Sequence, residues 1–337
     1  MTNVQLIAAL PKAELHVHIE GTLEPELKFD LAARNGVRLP YDSPQAVRDA
    51  YSFTDLTSFL VQYYDGMNVL LTEPDFYDLA MAYFTRAASD HVRWVELFFD
   101  PQAHTSRGVP FDIVIRGLRR AQLDAEATLG VRSALIMCFL RDFTPEFAMA
   151  TLLESLPYRQ WILGVGLDSD ERDNPPARFA AVFARARQEG YFLTMHCDVD
   201  QADSIEHIRQ ALHEIGVQRL DHGTNIVESP DLVAEVGRRR IGLTCCPVSN
   251  TWVSESSKSH LIKQLLDAGV KVTINSDDPA YFNGYLNANL ELVDAEQHLT
   301  RAELTQLVRN AFEVSWAPTS LRDEWLAEVD RIAADLS

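Results

Sequence analysis

A chain of 337 residues, 47% of them hydrophobic, has material for a large buried core, and its size allows one large domain or two ordinary ones. Its 30 Lys and Arg against 49 Asp and Glu leave a formal charge of −19, which argues against DNA or RNA as a partner, because phosphate binding needs a basic face. The same acidity is compatible with a small neutral or cationic substrate and helps solubility.

The four cysteines, Cys138, Cys197, Cys245 and Cys246, show no CxxC spacing and no disulfide-like framework. The N-terminal stretch MTNVQLIAALPKAE has no basic region followed by an apolar one. No uncharged apolar run reaches the roughly 18 residues that a membrane span needs. A cytoplasmic protein with reduced thiols and no membrane partner is therefore expected, and an oligomer is left open.

Along the chain, short apolar runs rich in β-branched residues alternate with helical patterns. The runs are ELHVHIE (14–20), RWVELFFD (93–100), SALIMCFL (133–140), ILGVGLD (162–168), FLTMHCD (192–198), RLDHG (219–223), GLTCCPVS (242–249) and VTINSDD (272–278). Between them lie stretches such as PFDIVIRGLRRAQLDAEATLG, with apolar residues at helical spacing. Continuous apolar strands imply burial on both faces, as in a parallel sheet. Eight strand–helix alternations predict a (β/α)8 TIM barrel, taken here as one domain over residues 1–337. Residues 22–91 form a long insertion of extra helices after the first strand. Its aromatic stretch YSFTDLTSFLVQYYDGMNVL serves helix packing, with a cap over the barrel mouth as the alternative.

Nearly every run ends in a polar cluster, and barrel active sites sit at the C-terminal ends of strands. His16 and His18 are two apart on the first strand, so their imidazoles share a side and suit a transition metal. His196 ends the fifth strand, His222 the sixth, and Asp277 with Asp278 the eighth. Metal-type ligands at four strand ends carry more weight than any single pair. Cys197 has acidic neighbours, which make a thiol less reactive, and reads as a packing residue. Cys245 and Cys246 are adjacent and lack the PCxxC pattern by which cytidine-type deaminases hold zinc.

These pieces resemble the adenosine/adenine deaminase branch of the amidohydrolase superfamily. The matching segments are PKAELHVHIEGTLEPE, FFDPQAHTSRG, VGLDSDE, the strand ending at His196, RLDHGTN, LTCCPVSNT and VTINSDDPAYF, in order over almost the whole chain. HIEG, FFDPQ, GLDSDE and SDDPAYF look closer to the adenine (free-base) members than to the adenosine members. The resemblance implies that His16, His18, His196 and Asp277 bind one zinc ion; three imidazoles and a carboxylate would also hold iron or manganese. A single-metal site fits a fourth strand without a lysine. The resemblance further implies that His222 orients and helps deprotonate a water, assisted by Asp277, for attack on purine C6. Asp278 would contact N7 and the Ser169 backbone N–H would contact N3. Glu20 would accept N9–H of a free base, or else serve as a helix N-terminal carboxylate. Glu171 would reach the same end of the base.

One position departs from the pattern. The family's fifth strand ends His-Ala-Gly-Glu, whose glutamate protonates purine N1; here the quartet is His196-Cys197-Asp198-Val199. Valine transfers no proton, and general acid catalysis is needed for C6 to accept the nucleophile. Asp198 or Asp200 could replace the glutamate, with Asp198 closer on the face of a continued strand. Alternatively, the substrate is an N6-substituted adenine or another aminated ring, or the chain binds a purine without turnover. A complete set of metal-type ligands together with His222 and Asp278 favours an enzyme acting on a 6-aminopurine base and yielding hypoxanthine. Adenosine deamination is the rival within the same chemistry.

Overall fold

The computed structural model describes residues 2–197 and 203–335. Asp198, Val199 and Asp200 lie outside the described residues. Eight parallel strands are paired in chain order: β1 (Lys12–His18), β2 (Val92–Phe99), β3 (Arg132–Leu140), β4 (Ile162–Asp168), β5 (Phe192–Cys197), β6 (Arg219–His222), β7 (Gly242–Cys245) and β8 (Lys271–Ile274). This is the expected (β/α)8 architecture. Between β8 and β1 the barrel closes beyond the end of β8. Val17 bridges Asp277, with His18 N–H donating to Asp277 O at 3.0 Å and Asp277 N–H to His16 O at 3.1 Å.

Strand ends differ from the apolar runs for local reasons. β1 begins at Lys12, two residues before its run. β7 stops at Cys245 because Pro247 opens a helix, Pro247–Val253; proline has no N–H for a ladder and a φ suited to a first helical turn. β8 stops at Ile274. Asn275 follows, and its side-chain oxygen accepts from Leu15 N–H at 2.8 Å, in place of a ladder bond.

The insertion after β1 holds the helices Pro25–Asn35, Pro44–Ala50, Leu56–Gly66 and Glu73–Ser89. Their starts follow capping chemistry. Ser43 accepts from Ala46 N–H, Asp55 from Ser58 N–H at 2.8 Å, and Thr72 forms a capping box with Asp75. On Leu56–Gly66, residues 56, 59, 60, 63 and 64 share one face. Phe59 and Tyr63 are buried, and Phe59 packs on Phe282 with ring centroids 4.7 Å apart. Together with Leu56, Leu60 and Tyr64 they also wall the cavity at the barrel mouth. The aromatic stretch therefore packs and caps at once.

Inside the barrel, Phe98, Ile136 and Cys138 form a small apolar cluster with Trp316 against it. Glu96 below it is held by Arg219 and by Trp94 Nε1–H at 2.9 Å, and the Arg219 guanidinium lies 4.3 Å from the Trp316 ring centre. The alternating glycines of ILGVGLD make room for these side chains. A Cβ at Gly164 would come within 2.6 Å of Trp316, and one at Gly166 within 2.6 Å of Cys138. None of the described helices is long and apolar enough to cross a membrane. Overpacking of this kind costs about 1–3 kcal/mol, so Gly164→Ala should lower the thermal unfolding midpoint measurably. An unchanged midpoint would show that the interior is looser than described.

Candidate active site

β1 places His16 and His18 on one side, β5 brings His196 to meet them, and the residues after β8 add Asp277. One donor atom from each of these four residues lies within 4.8 Å of the others. His16 Nε2 is 3.1 Å from Asp277 Oδ1, His18 Nε2 is 3.5 Å from the same oxygen, and His18 Nε2 is 3.0 Å from His196 Nε2. Ligands of a tetrahedral ion at about 2.0–2.1 Å stand roughly 3.3 Å apart, so the spacing fits a single cation. Burial pushes His18 down to about 3 and holds His196 well below the ordinary histidine value. Neutral imidazoles offering lone pairs are what metal ligation requires. Burial would raise Asp277, but the surrounding imidazoles, His16 foremost, hold its carboxyl well below the usual range. His18, His196 and Asp277 therefore keep the protonation state of a ligand, whereas at His16 burial is outweighed by the charges of Asp277 and Asp221, which raise its pKa until a cation takes the proton's place.

A second set of groups aims the first. Thr244 Oγ1–H donates to Asp221 Oδ1 at 2.9 Å, so its oxygen accepts from His16 Nδ1–H, also at 2.9 Å. This fixes the His16 tautomer and leaves Nε2 facing the centre. Thr194 Oγ1–H donates to the other oxygen of Asp221 at 2.6 Å, which lies 3.8 Å from His196 Nδ1. Asp168 Oδ2 stands 3.5 Å behind His18 Nδ1. Arg141, fully buried, donates to the His196 carbonyl at 2.7 Å.

His222 and Asp277 reach the centre through backbone strain. Strand alternation puts Asp221 inward with Thr194 and Thr244, so His222 should point away. Its φ of 61° turns it back, and Asp277 has φ 64°. Left-handed non-glycine residues are uncommon and collect at functional sites. His222 Nε2 lies 3.9 Å from Asp277 Oδ2, and burial lowers its pKa to about 4. A neutral imidazole at the cavity wall can accept a proton.

A cavity opens above the centre, with about 720 Å³ of empty space when the open solvent at its mouth is included. The helix Leu56–Gly66 supplies its apolar wall, and Ser169, Glu171, Asp278, Asp100 and Asp168 give it polar edges. Asp278 Oδ1 is buried without a hydrogen-bond partner among the described residues. Burial, then the charge of Asp277, raises the Asp278 carboxyl well above its ordinary value. Gly21 is what lets Asp278 sit there, since a Cβ at Gly21 would fall 2.7 Å from the Asp278 Cα. Ser169 has φ 71°, and its hydroxyl accepts from Tyr64 at 2.7 Å. Glu171 is clamped by His207 Nδ1 at 3.1 Å and faces Arg141 at 3.6 Å.

Glu20 is fully buried and is not among the residues that line the cavity. Its Oε1 accepts from Asp100 N–H at 3.1 Å and from His104 Nε2–H at 2.8 Å, while Arg107 donates to His104 Nδ1 at 2.8 Å. Burial raises its carboxyl to about 7. It opens the short 3-10 turn Glu20–Thr22, and the following α-helix begins at Pro25.

The family model described as adenosine deaminase matches residues 11–332. The chain belongs to the adenosine deaminase family. It is similar to an adenine deaminase of Cupriavidus necator, 51% identical over 326 residues, covering 96% of this chain and 92% of the relative. Its structure resembles that of an adenine deaminase from Arthrobacter aurescens, with a TM-score of 0.92, 40% identity, and coverage of 96% and 99% of the two chains. It also resembles an amidohydrolase from Burkholderia ambifaria with bound zinc, with a TM-score of 0.88, 26% identity, and coverage of 100% and 95%.

Within this family frame, sequence reading missed Thr244, Asp221, Asp100, Arg141 and His104. The side chains of Thr244 and Asp221 are hidden inside strands, and the His104–Glu20 contact spans 84 positions of sequence. FFDPQ and RLDHG held the only signal for Asp100 and Asp221. Outer partners of metal-binding histidines are worth about 10–100-fold in metal affinity, so Thr244→Val should weaken metal binding by that factor in a chelator competition titration. Undiminished affinity would remove Thr244 from the role of aiming His16.

Proposed function

We propose that the chain is a metal-dependent aminohydrolase that converts a 6-aminopurine base, adenine or an N6-substituted adenine, to hypoxanthine with release of ammonia or an amine. The observation that carries this reading is the convergence of His16, His18, His196 and Asp277 beneath a cavity edged by Asp278, whose Oδ1 has no hydrogen-bond partner among the described residues. Identity of about half to curated adenine deaminases supports the substrate class. The bound zinc of the Burkholderia ambifaria protein supports zinc as the ion, on one site over residues 1–337 read as a single domain. The cytoplasm is the proposed location, and a free small molecule the proposed partner.

A divalent cation at this site supplies Lewis acidity, lowering the pKa of a coordinated water toward about 7. His222 takes a proton from the attacking water, with Asp277 beside it. Oxygen adds to C6, the C6–N bond breaks, and the amine leaves with the transferred protons. Asp278, in its acid form, donates to N7, because a ring nitrogen lone pair accepts only from an O–H or N–H. The Ser169 N–H serves N3, and Glu171 bounds the same end of the base. For Glu20 we propose Oε2 as the acceptor of N9–H, an atom with no hydrogen-bond partner among the described residues. The proton for N1 is assigned to Asp198, with Asp200 as the alternative.

Hypoxanthine release from adenine, adenosine and an N6-alkyladenine tests the reading. Turnover of adenine or the N6-alkyl base is expected, with adenosine poorer. Binding of all three without product would leave a purine-binding protein, and preference for adenosine would move the chain to the nucleoside branch. Asp198→Asn should lower kcat by about 10²-fold or more with metal retained. An unchanged rate would pass the acid role to Asp200 or another group.

A further inference from the structure

The carboxylate of Asp277 has two sides. Oδ1 faces His16 and His18, at 3.1 and 3.5 Å. Oδ2 stands 3.9 Å from His222 Nε2. Around His222 a further trio forms, in which single donor atoms of His222, Cys246 and Asp277 lie within 4.8 Å of one another. Cys246 sits at the step from β7 into the helix Pro247–Val253, fully buried, with its Sγ 3.7 Å from the Thr244 carbonyl, a weak contact for a thiol. His222 and Asp277 both line the cavity, so an ion entering from the mouth meets these two, with the Cys246 thiol buried behind them.

We propose that His222, Cys246 and Asp277 form a second, inhibitory site for a borderline-soft divalent ion, zinc or cadmium, with Asp277 bridging it to the first. The donor sets differ in kind. Three imidazoles and one carboxylate tolerate harder ions, whereas a thiolate selects zinc or cadmium over magnesium or manganese. Three protein ligands leave one position open toward the cavity. Two ions sharing a carboxylate stand about 3.5–4 Å apart, so both fit at one mouth. Binding breaks the Cys246 S–H bond, forms the sulfur–metal bond and releases the proton to solvent. It also occupies a lone pair of His222. The inference rests on the reading that His222 takes the proton from water, and with that nitrogen engaged the reaction stops.

The test is a titration of the protein, already loaded with one equivalent of metal, with cadmium and with zinc. A second equivalent should bind, cadmium should bring the ultraviolet charge-transfer band of a thiolate bond, and turnover should fall in step. In Cys246→Ser and Cys246→Ala, basal turnover should stay close to that of the unsubstituted protein. The band should vanish, and the concentration for half-inhibition should rise by about tenfold or more, as for loss of any metal-supporting group. Cys245→Ser should keep the band. Inhibition of both Cys246 variants at unchanged metal concentration, or a band that survives them, would overturn the site. If no purine were turned over at all, stoichiometry and the band would still report on the second ion. A functional deaminase that binds only one equivalent would reject the second site and leave the proposed activity standing.

Discussion

Two imidazole nitrogens, His18 Nε2 and His196 Nε2, face each other across 3.0 Å inside the barrel. Neutral imidazoles cannot both present lone pairs at that distance without a proton or a cation between them. One neutral ring can meet this with an Nε2–H donated to the other. A cation held also by His16 and the Asp277 carboxylate would engage both lone pairs at once. Much of the surrounding structure serves to hold these donors where they would otherwise not remain.

That service begins in the backbone. The segment carrying Asp277 closes the barrel against β1, so one set of hydrogen bonds secures both the fold and the carboxylate. The Asp221 carboxylate ties β5, β6 and β7 together through two threonine hydroxyls, and through Thr244 it reaches His16. Buried polar networks stabilise only when each member is satisfied. Of the unpartnered buried atoms among the described residues, those of Asp278, Asp100 and Asp168 face the cavity, where a ligand can supply what the protein does not. Above them the helix Leu56–Gly66 lays the rings of Phe59, Tyr63 and Tyr64 along the wall of the cavity.

Much of this was legible in the sequence because strand geometry is simple. A spacing of two puts His16 and His18 side by side, and polar clusters ending apolar runs mark one rim of a barrel. His222 was found by its position at a strand end, while the alternation rule alone would have turned it outward; only its left-handed φ brings it in. The surroundings of Glu20 were not legible, because His104, which it binds, and Arg107 behind it come from a helix and turn some 80 positions away. The glycines of ILGVGLD read as an apolar strand, and their purpose appears only when Trp316 is seen filling the interior from the far end of the chain. The aromatic stretch was read as packing or capping, and helical spacing lets one face do both. In each miss, the missing information was a contact between distant segments.

The account stands on a cation at the meeting point of four side chains, and anomalous X-ray diffraction from crystals of the purified, zinc-loaded protein examines this most directly. One strong peak at the zinc edge is predicted within about 2.0–2.2 Å of the Nε2 atoms of His16, His18 and His196 and of Asp277 Oδ1. A loaded protein with no peak there, or with its zinc bound elsewhere, would contradict the account.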